Sequence, residues 1–241
     1  MSALHDAAIR EYSEHYARVN PSGLDASRVA PRTYRNMELM YGPLVDRLPH
    51  GSIVVDVGCG AGFFLRWLSK KPSLKLLGVD ACEGQAQCAR LAAPRADIVV
   101  QDGLAFLENK SSVFGGVFCI DVVEHIETDE NCFTFLQGVQ ESLVPGGFFV
   151  CRVPNAAHIL GSYSRYVDIT HHRIFTMHSL RQAFSAAGFC NIQFIPHRSS
   201  SWLGKLRLGL EYLLHRALFL LGGYQEDAIY TQNLVVVGFK S

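Results

Sequence analysis

Neither sign of charge predominates: Lys plus Arg and Asp plus Glu number 22 each in 241 residues. A chain without a global field has nothing to steer an anionic polymer, which counts against a general nucleic-acid binder and leaves only a local basic patch open. There is no CxxC pair. The seven cysteines (Cys59, Cys82, Cys88, Cys119, Cys132, Cys151 and Cys190) are odd in number and scattered, so neither a zinc knuckle nor a disulfide framework is indicated. The polar, amphipathic start, MSALHDAAIREYSEHYARV, lacks the apolar segment of a signal peptide, and a cytoplasmic location is expected. Internal repeats and low-complexity tracts are absent. With 49% hydrophobic residues, the chain has ample material for one large core.

Short apolar runs alternate with helical patterns through the middle of the chain. Strands are expected at 52–58, 74–80, 96–102, 115–121 and 146–153, and helices at 61–69, 84–93 and 130–143. That alternation predicts an α/β fold, a parallel sheet covered on both faces. Thr176 reads as the N-cap of a helix ending near Ala187-Gly188, followed by strands CNIQFIPH and NLVVVGFK. Residues 1–50 are expected to form a helical extension, interrupted at Asn20-Pro21-Ser22-Gly23, and 51–241 the main domain. Within it, 156–177 reads as an acceptor loop and 199–229 as a helical insertion between the last two strands.

The strongest signal is Val54-Val55-Asp56-Val57-Gly58-Cys59-Gly60-Ala61-Gly62, a buried strand turning tightly into a helix. A dinucleotide fingerprint is GxGxxG, whereas here the spacing is GxGxG and Phe63 stands where the third glycine belongs. Asp56, two positions before Gly58, suits a cofactor with a cationic amino-acid end better than one with two phosphates. DVGCGAG resembles the first motif of the class I, Rossmann-like S-adenosylmethionine-dependent methyltransferases. The resemblance continues in order over roughly residues 50–195.

The resemblance implies a seven-stranded, mostly parallel sheet and S-adenosylmethionine as cofactor. It assigns Asp56, Gly58 and Gly60 to the cofactor loop, Asp80 to the ribose hydroxyls and Asp102-Gly103 to the adenine amino group. Asp121, in IDVVEH (120–125), would border the methionine and the acceptor. Asp121, Glu124 and His125 form D-x-x-E-H, similar to the E-x-x-E-H metal site of small-RNA 2′-O-methyltransferases and ubiquinone-pathway O-methyltransferases. His172 could close such a set around Mg²⁺ or Mn²⁺. A metal-free Glu-His dipeptide is the preferred reading. For the base that deprotonates a hydroxyl acceptor, His171, His172 and His125 are the candidates, with His158 also near the rim.

The segment from Tyr166 to Thr176 resembles sugar-modifying and surface-polysaccharide methyltransferases, and a sugar hydroxyl on a glycan, free or lipid-linked, is the acceptor first expected. Alternatives are a quinone or phenol, an RNA 2′-hydroxyl, or a cofactor-binding scaffold without catalysis. On a helical wheel Leu203, Leu206, Leu210, Leu213, Leu214, Ala217 and Leu221 share one face. Packing of that face on the sheet or a second subunit is expected, with a lid or a peripheral membrane contact through 202–221 as alternatives; five titratable side chains argue against a span.

Overall fold

The computed structural model describes residues 29–224 and 229–241. The expected interruption at 20–23 therefore lies outside the described residues. Helix α1 (Pro31–Val45) opens with a proline at its first position, where the missing N–H is no loss and φ is already helical. Then β1 (Ile53–Val57), α2 (Phe63–Leu68), β2 (Lys75–Asp80), α3 (Glu83–Ala92), β3 (Ala96–Val100), α4 (Gly103–Leu107) and β4 (Phe114–Ile120) alternate. A 3₁₀ turn (Val123–His125), α5 (Asp129–Ser142), β5 (Leu143–Pro154), α6 (Gly161–Tyr166), α7 (Met177–Ala186), β6 (Cys190–Phe194), α8 (Trp202–Leu221) and β7 (Asn233–Phe239) follow.

The strands form one seven-stranded sheet in the order β3-β2-β1-β4-β5-β7-β6. Strands β1 to β5 pair in parallel, and only β7 runs antiparallel, to both β5 and β6. This is the expected Rossmann-like architecture. Successive residues point to opposite faces, so β1 sends Val54 into one core, with Tyr41, Phe64 and Trp67, and Val55 and Val57 into the other, with Phe135, Leu180 and Phe184. The order reverses between β1 and β4. Ligands of open α/β sheets bind outside the carboxyl ends of the strands at that switch point.

Two glycines show why the first loop is so tight. A Cβ on Gly62 (φ +78°) would lie 2.7 Å from the Ala89 Cα, so α2 and α3 approach only across a bare backbone. A Cβ on Gly58 would meet Val122 at 2.2 Å. Thr176 caps α7 as expected, and Ser179 returns the bond in a capping box.

The insertion is helical as expected, but its leucine face does not pack on the sheet. Among the residues of α8 only His215 is buried, and the leucine face points outward: Leu206, Leu210, Leu213 and Leu214 are all more than half exposed. The opposite side meets the body of the protein, through hydrogen bonds of Glu211 and His215 and ring contacts of Tyr212 and Phe219 with Tyr230. Among the described residues no helix is long and apolar enough to cross a membrane.

Candidate active site

A cavity of about 650 Å³ opens at the switch point, a size usual for small-molecule sites. Gly58 and Gly60 after β1, Asp80 at the end of β2, Asp102 and Gly103 after β3, and Asp121 after β4 all line it. Each stands at a strand's carboxyl end, which is why residues 60 positions apart converge. Asp80 accepts the Gly60 N–H (2.8 Å) on Oδ2 and the Cys82 N–H (2.9 Å) on Oδ1. Burial raises its pKa, and these two bonds work against the rise. Asp80 thus clamps the glycine loop while facing the cavity. Asp102 accepts the Leu104 and Ala105 N–H groups and caps α4, a short helix the strand pattern did not reveal.

Asp56 is placed differently from expectation: it lies beneath the cavity, not on its wall. The strand's alternation turns it with Val54 toward the α1–α3 side. It is buried, and Oδ1 has no hydrogen-bond partner. Burial first, then the nearby Asp80 charge, push its pKa up to about 8.

The polar half of the cavity is built by the 3₁₀ turn and the loop around α6. Asp121 adopts φ +58°, rare for a residue with a side chain. Its carboxylate is taken by the Arg152 guanidinium, through Nε at 2.7 Å and through Nη2. This pairing draws Asp121 away from the expected metal set. His171 takes its place: ligand atoms of Glu124, His125 and His171 lie within 4.8 Å of one another. His172 is exposed, contributes no lining to the cavity, and donates its backbone N–H to the Glu124 carbonyl (2.7 Å). Of the adjacent histidines, only His171 reaches the site.

Hydrogen bonds fix both imidazole tautomers. The Thr170 hydroxyl donates to Asp168 Oδ1 (2.7 Å), so its oxygen must accept from His125 Nδ1–H (2.7 Å). His171 Nδ1–H donates to the Ser164 carbonyl (2.7 Å). In the neutral form, each ring then carries its lone pair on Nε2. Burial, then the neighbouring His171, lower the His125 pKa to about 4, so it is neutral at pH 7. Burial alone would raise Asp168, but the two Thr170 bonds and the His125 contact hold it below the usual range. Glu124 is fully buried, and burial with the Asp121 charge pushes its pKa far up. Its Oε2 has no hydrogen-bond partner. Asp168, Thr170, Ser164 and Arg152 were not among the expected site residues. Asp168-Ile-Thr170 carries a local turn signal, whereas Arg152 sits inside an apolar strand and gave none.

The methyltransferase domain family model matches residues 32–193. The chain belongs to that family. It carries the methyltransferase domain that the loop motif implied. A SAM-dependent methyltransferase from Archaeoglobus fulgidus superposes with a TM-score of 0.68 at 17% identity, covering 95% of this chain and 99% of that one. The tRNA (carboxymethyluridine(34)-5-O)-methyltransferase of Saccharomyces cerevisiae is 36% identical over 99 residues, 41% of this methyltransferase and 34% of the yeast protein. The Schizosaccharomyces pombe enzyme of the same name is 30% identical over 115 residues, 45% and 47% of the two chains. The methyltransferase thus spans a third to a half of the length of these curated relatives.

These relatives overturn three expectations. They are named for tRNA, not for surface glycans, so neither the sugar-hydroxyl acceptor nor the glycan partner stands. The exclusion of nucleic acid also falls. Equal totals of charge rule out a global field but leave local contacts untouched, and a short single-stranded substrate requires few of them.

Proposed function

We propose that this methyltransferase transfers the methyl group of S-adenosylmethionine to an oxygen of a nucleoside in tRNA. The observation that carries the reading is the yeast similarity, and the mouth of the cavity agrees with it. Tyr163 lies on the cavity wall, and Tyr166 beside it is 77% exposed with the Arg165 guanidinium 5.0 Å from its ring centre. Exposed aromatic faces paired with a cation suit stacked bases and the adjoining phosphates. A cytoplasmic location goes with this reading.

When bound, S-adenosylmethionine supplies a methyl on a cationic sulfur that leaves as a neutral thioether. The chain's own work is holding and aligning. Asp80 has an acceptor lone pair left on each oxygen for a ribose diol, and Asp102 and Gly103, on the cavity wall, would flank the adenine. Alignment of this kind can supply several kcal/mol of the barrier.

The Glu124–His125–His171 cluster fits a divalent cation. It has an unpartnered carboxylate oxygen and two imidazoles whose Nδ1–H groups are already anchored, the usual support of ligating histidines. These three residues would hold Mg²⁺ or Mn²⁺, which would polarise the acceptor oxygen.

The test is transfer of radiolabelled methyl from S-adenosylmethionine to unfractionated tRNA, followed by nuclease digestion and mass spectrometry of the nucleosides. A methylated nucleoside is expected. Label transferred to a catechol and none to RNA would overturn the reading.

A further inference from the structure

Helix α8 is tied to the rest of the molecule by a set of bonds in which every ring nitrogen has an assigned role. His158, just after β5, donates Nε2–H to Glu211 Oε1 (2.8 Å), and its Nδ1 accepts the Leu160 N–H (3.1 Å). His215 accepts the Ile159 N–H on Nε2 (2.8 Å) and donates Nδ1–H to the Glu211 carbonyl (2.8 Å). The backbone N–H groups can only donate and the carbonyl can only accept, so both rings are neutral and both tautomers are determined. The two rings lie 4.9 Å apart, and Tyr230 stacks on His215 at 5.5 Å and 17°. The segment carrying Tyr230 is clamped in turn by Asn155, whose Nδ2 donates to the Ile229 (3.0 Å) and Thr231 (2.9 Å) carbonyls.

The bonds continue toward the site. Ile159 and Leu160 lead directly into α6, and the α6 residue Ser164 offers the carbonyl that accepts His171 Nδ1–H. His171 is one of the three groups of the polar cluster. A continuous path thus runs from Glu211 and His215 on α8, through His158, Ile159 and Leu160, to Ser164 and His171. Nothing in it depends on which acceptor enters the cavity.

We infer that His158, Glu211 and His215 are positioning residues of the methyl-transfer site, a polar latch through which α8 sets α6 and, through Ser164, the tautomer and orientation of His171. The latch explains why the one buried residue of a leucine-rich helix is a histidine. It also separates His158 from the candidate bases, since both of its nitrogens are engaged away from the cavity.

The full-length protein tests this without any acceptor. His215→Phe keeps the ring on Tyr230 and removes the acceptor for Ile159 N–H. Glu211→Ala removes the partner of His158, and Glu211→Gln restores an acceptor oxygen. Amide exchange at Ile159 and Leu160, read by mass spectrometry, is expected to speed up at least about tenfold in His215→Phe and Glu211→Ala, with Glu211→Gln near the parent rate. Nitrogen chemical shifts of His171 should move from one fixed tautomer to a mixture in the same two variants. Calorimetric affinity for S-adenosylmethionine should stay within about twofold of the parent, because the cofactor half lies elsewhere. If His215→Phe does not fold, the Glu211 pair decides alone. Unchanged exchange at 159–160, or a His171 tautomer that survives in the folded variants, overturns the inference. Failure of transfer to tRNA would leave these readouts intact, so the latch and the proposed acceptor stand or fall separately.

Discussion

Replacing Asp56 by Asn should change how stability depends on pH in a way that its burial dictates. Its pKa in the folded protein is about 8, against 3.8 for the ordinary group. Below pH 3.8 both folded and unfolded chains hold the proton, and the group contributes no pH dependence. As pH rises from there toward 8 only the unfolded chain ionises, so folding stability is lost at about 1.4 kcal/mol per pH unit. By pH 7 the accumulated loss is on the order of 4 kcal/mol, a large share of a typical domain's stability. Asn has nearly the same shape and cannot ionise. The advantage of Asp56→Asn over the parent should therefore grow by about 2–3 kcal/mol between pH 5 and pH 7. Glu124 contributes a slope of the same sign, but it is common to both proteins and cancels in the difference. Urea unfolding at pH 5, 6 and 7 measures it. A parent-minus-variant difference independent of pH would show that Asp56 is ionised in the fold and that the argument from its burial is wrong.

Asp80→Ala removes the clamp on Gly60 and Cys82 together with the expected ribose contact, so calorimetry should show S-adenosylmethionine affinity reduced about 10- to 150-fold; unchanged affinity would place the ribose elsewhere. If Glu124, His125 and His171 hold a divalent ion, Mn²⁺ should bind the parent with one site by paramagnetic resonance and Glu124→Gln with at least about tenfold weaker affinity, and equal binding would remove the cluster from consideration. For His125 the linkage sign is the reverse of that for Asp56: with a folded pKa near 4 against 6.5, the unfolded chain takes up the proton first. Stability should thus fall as pH drops from 6.5 to 4, and His125→Phe should flatten that part of the urea-derived profile. Leu213→Ser, on the outward face of α8, should alter unfolding free energy by less than about 0.5 kcal/mol, whereas Phe135→Ala, in the core, should lower it by about 3–5 kcal/mol.

What the sequence determined by itself was everything encoded locally. Apolar runs of strand length between helical patterns specified the parallel sheet, because such runs must be covered on both faces. Glycines at 58, 60 and 62 specified the cofactor loop, because all three take a positive φ and a Cβ at 58 or 62 would collide with Val122 or Ala89. Thr176 announced its helix, because a side-chain cap acts over three residues. Only the tertiary structure decided the polar half of the site. In the sequence Asp121 is a candidate metal ligand beside the preferred metal-free reading, and only the neighbouring strand brings Arg152 against it; of two adjacent histidines only His171 turns inward, held by a carbonyl seven residues away. The helical wheel of α8 showed an apolar face correctly but not its direction. The inward side carries hydrogen bonds of His158 to Glu211 and of Ile159 to His215, partners more than fifty positions distant in the chain, beyond the reach of any periodicity.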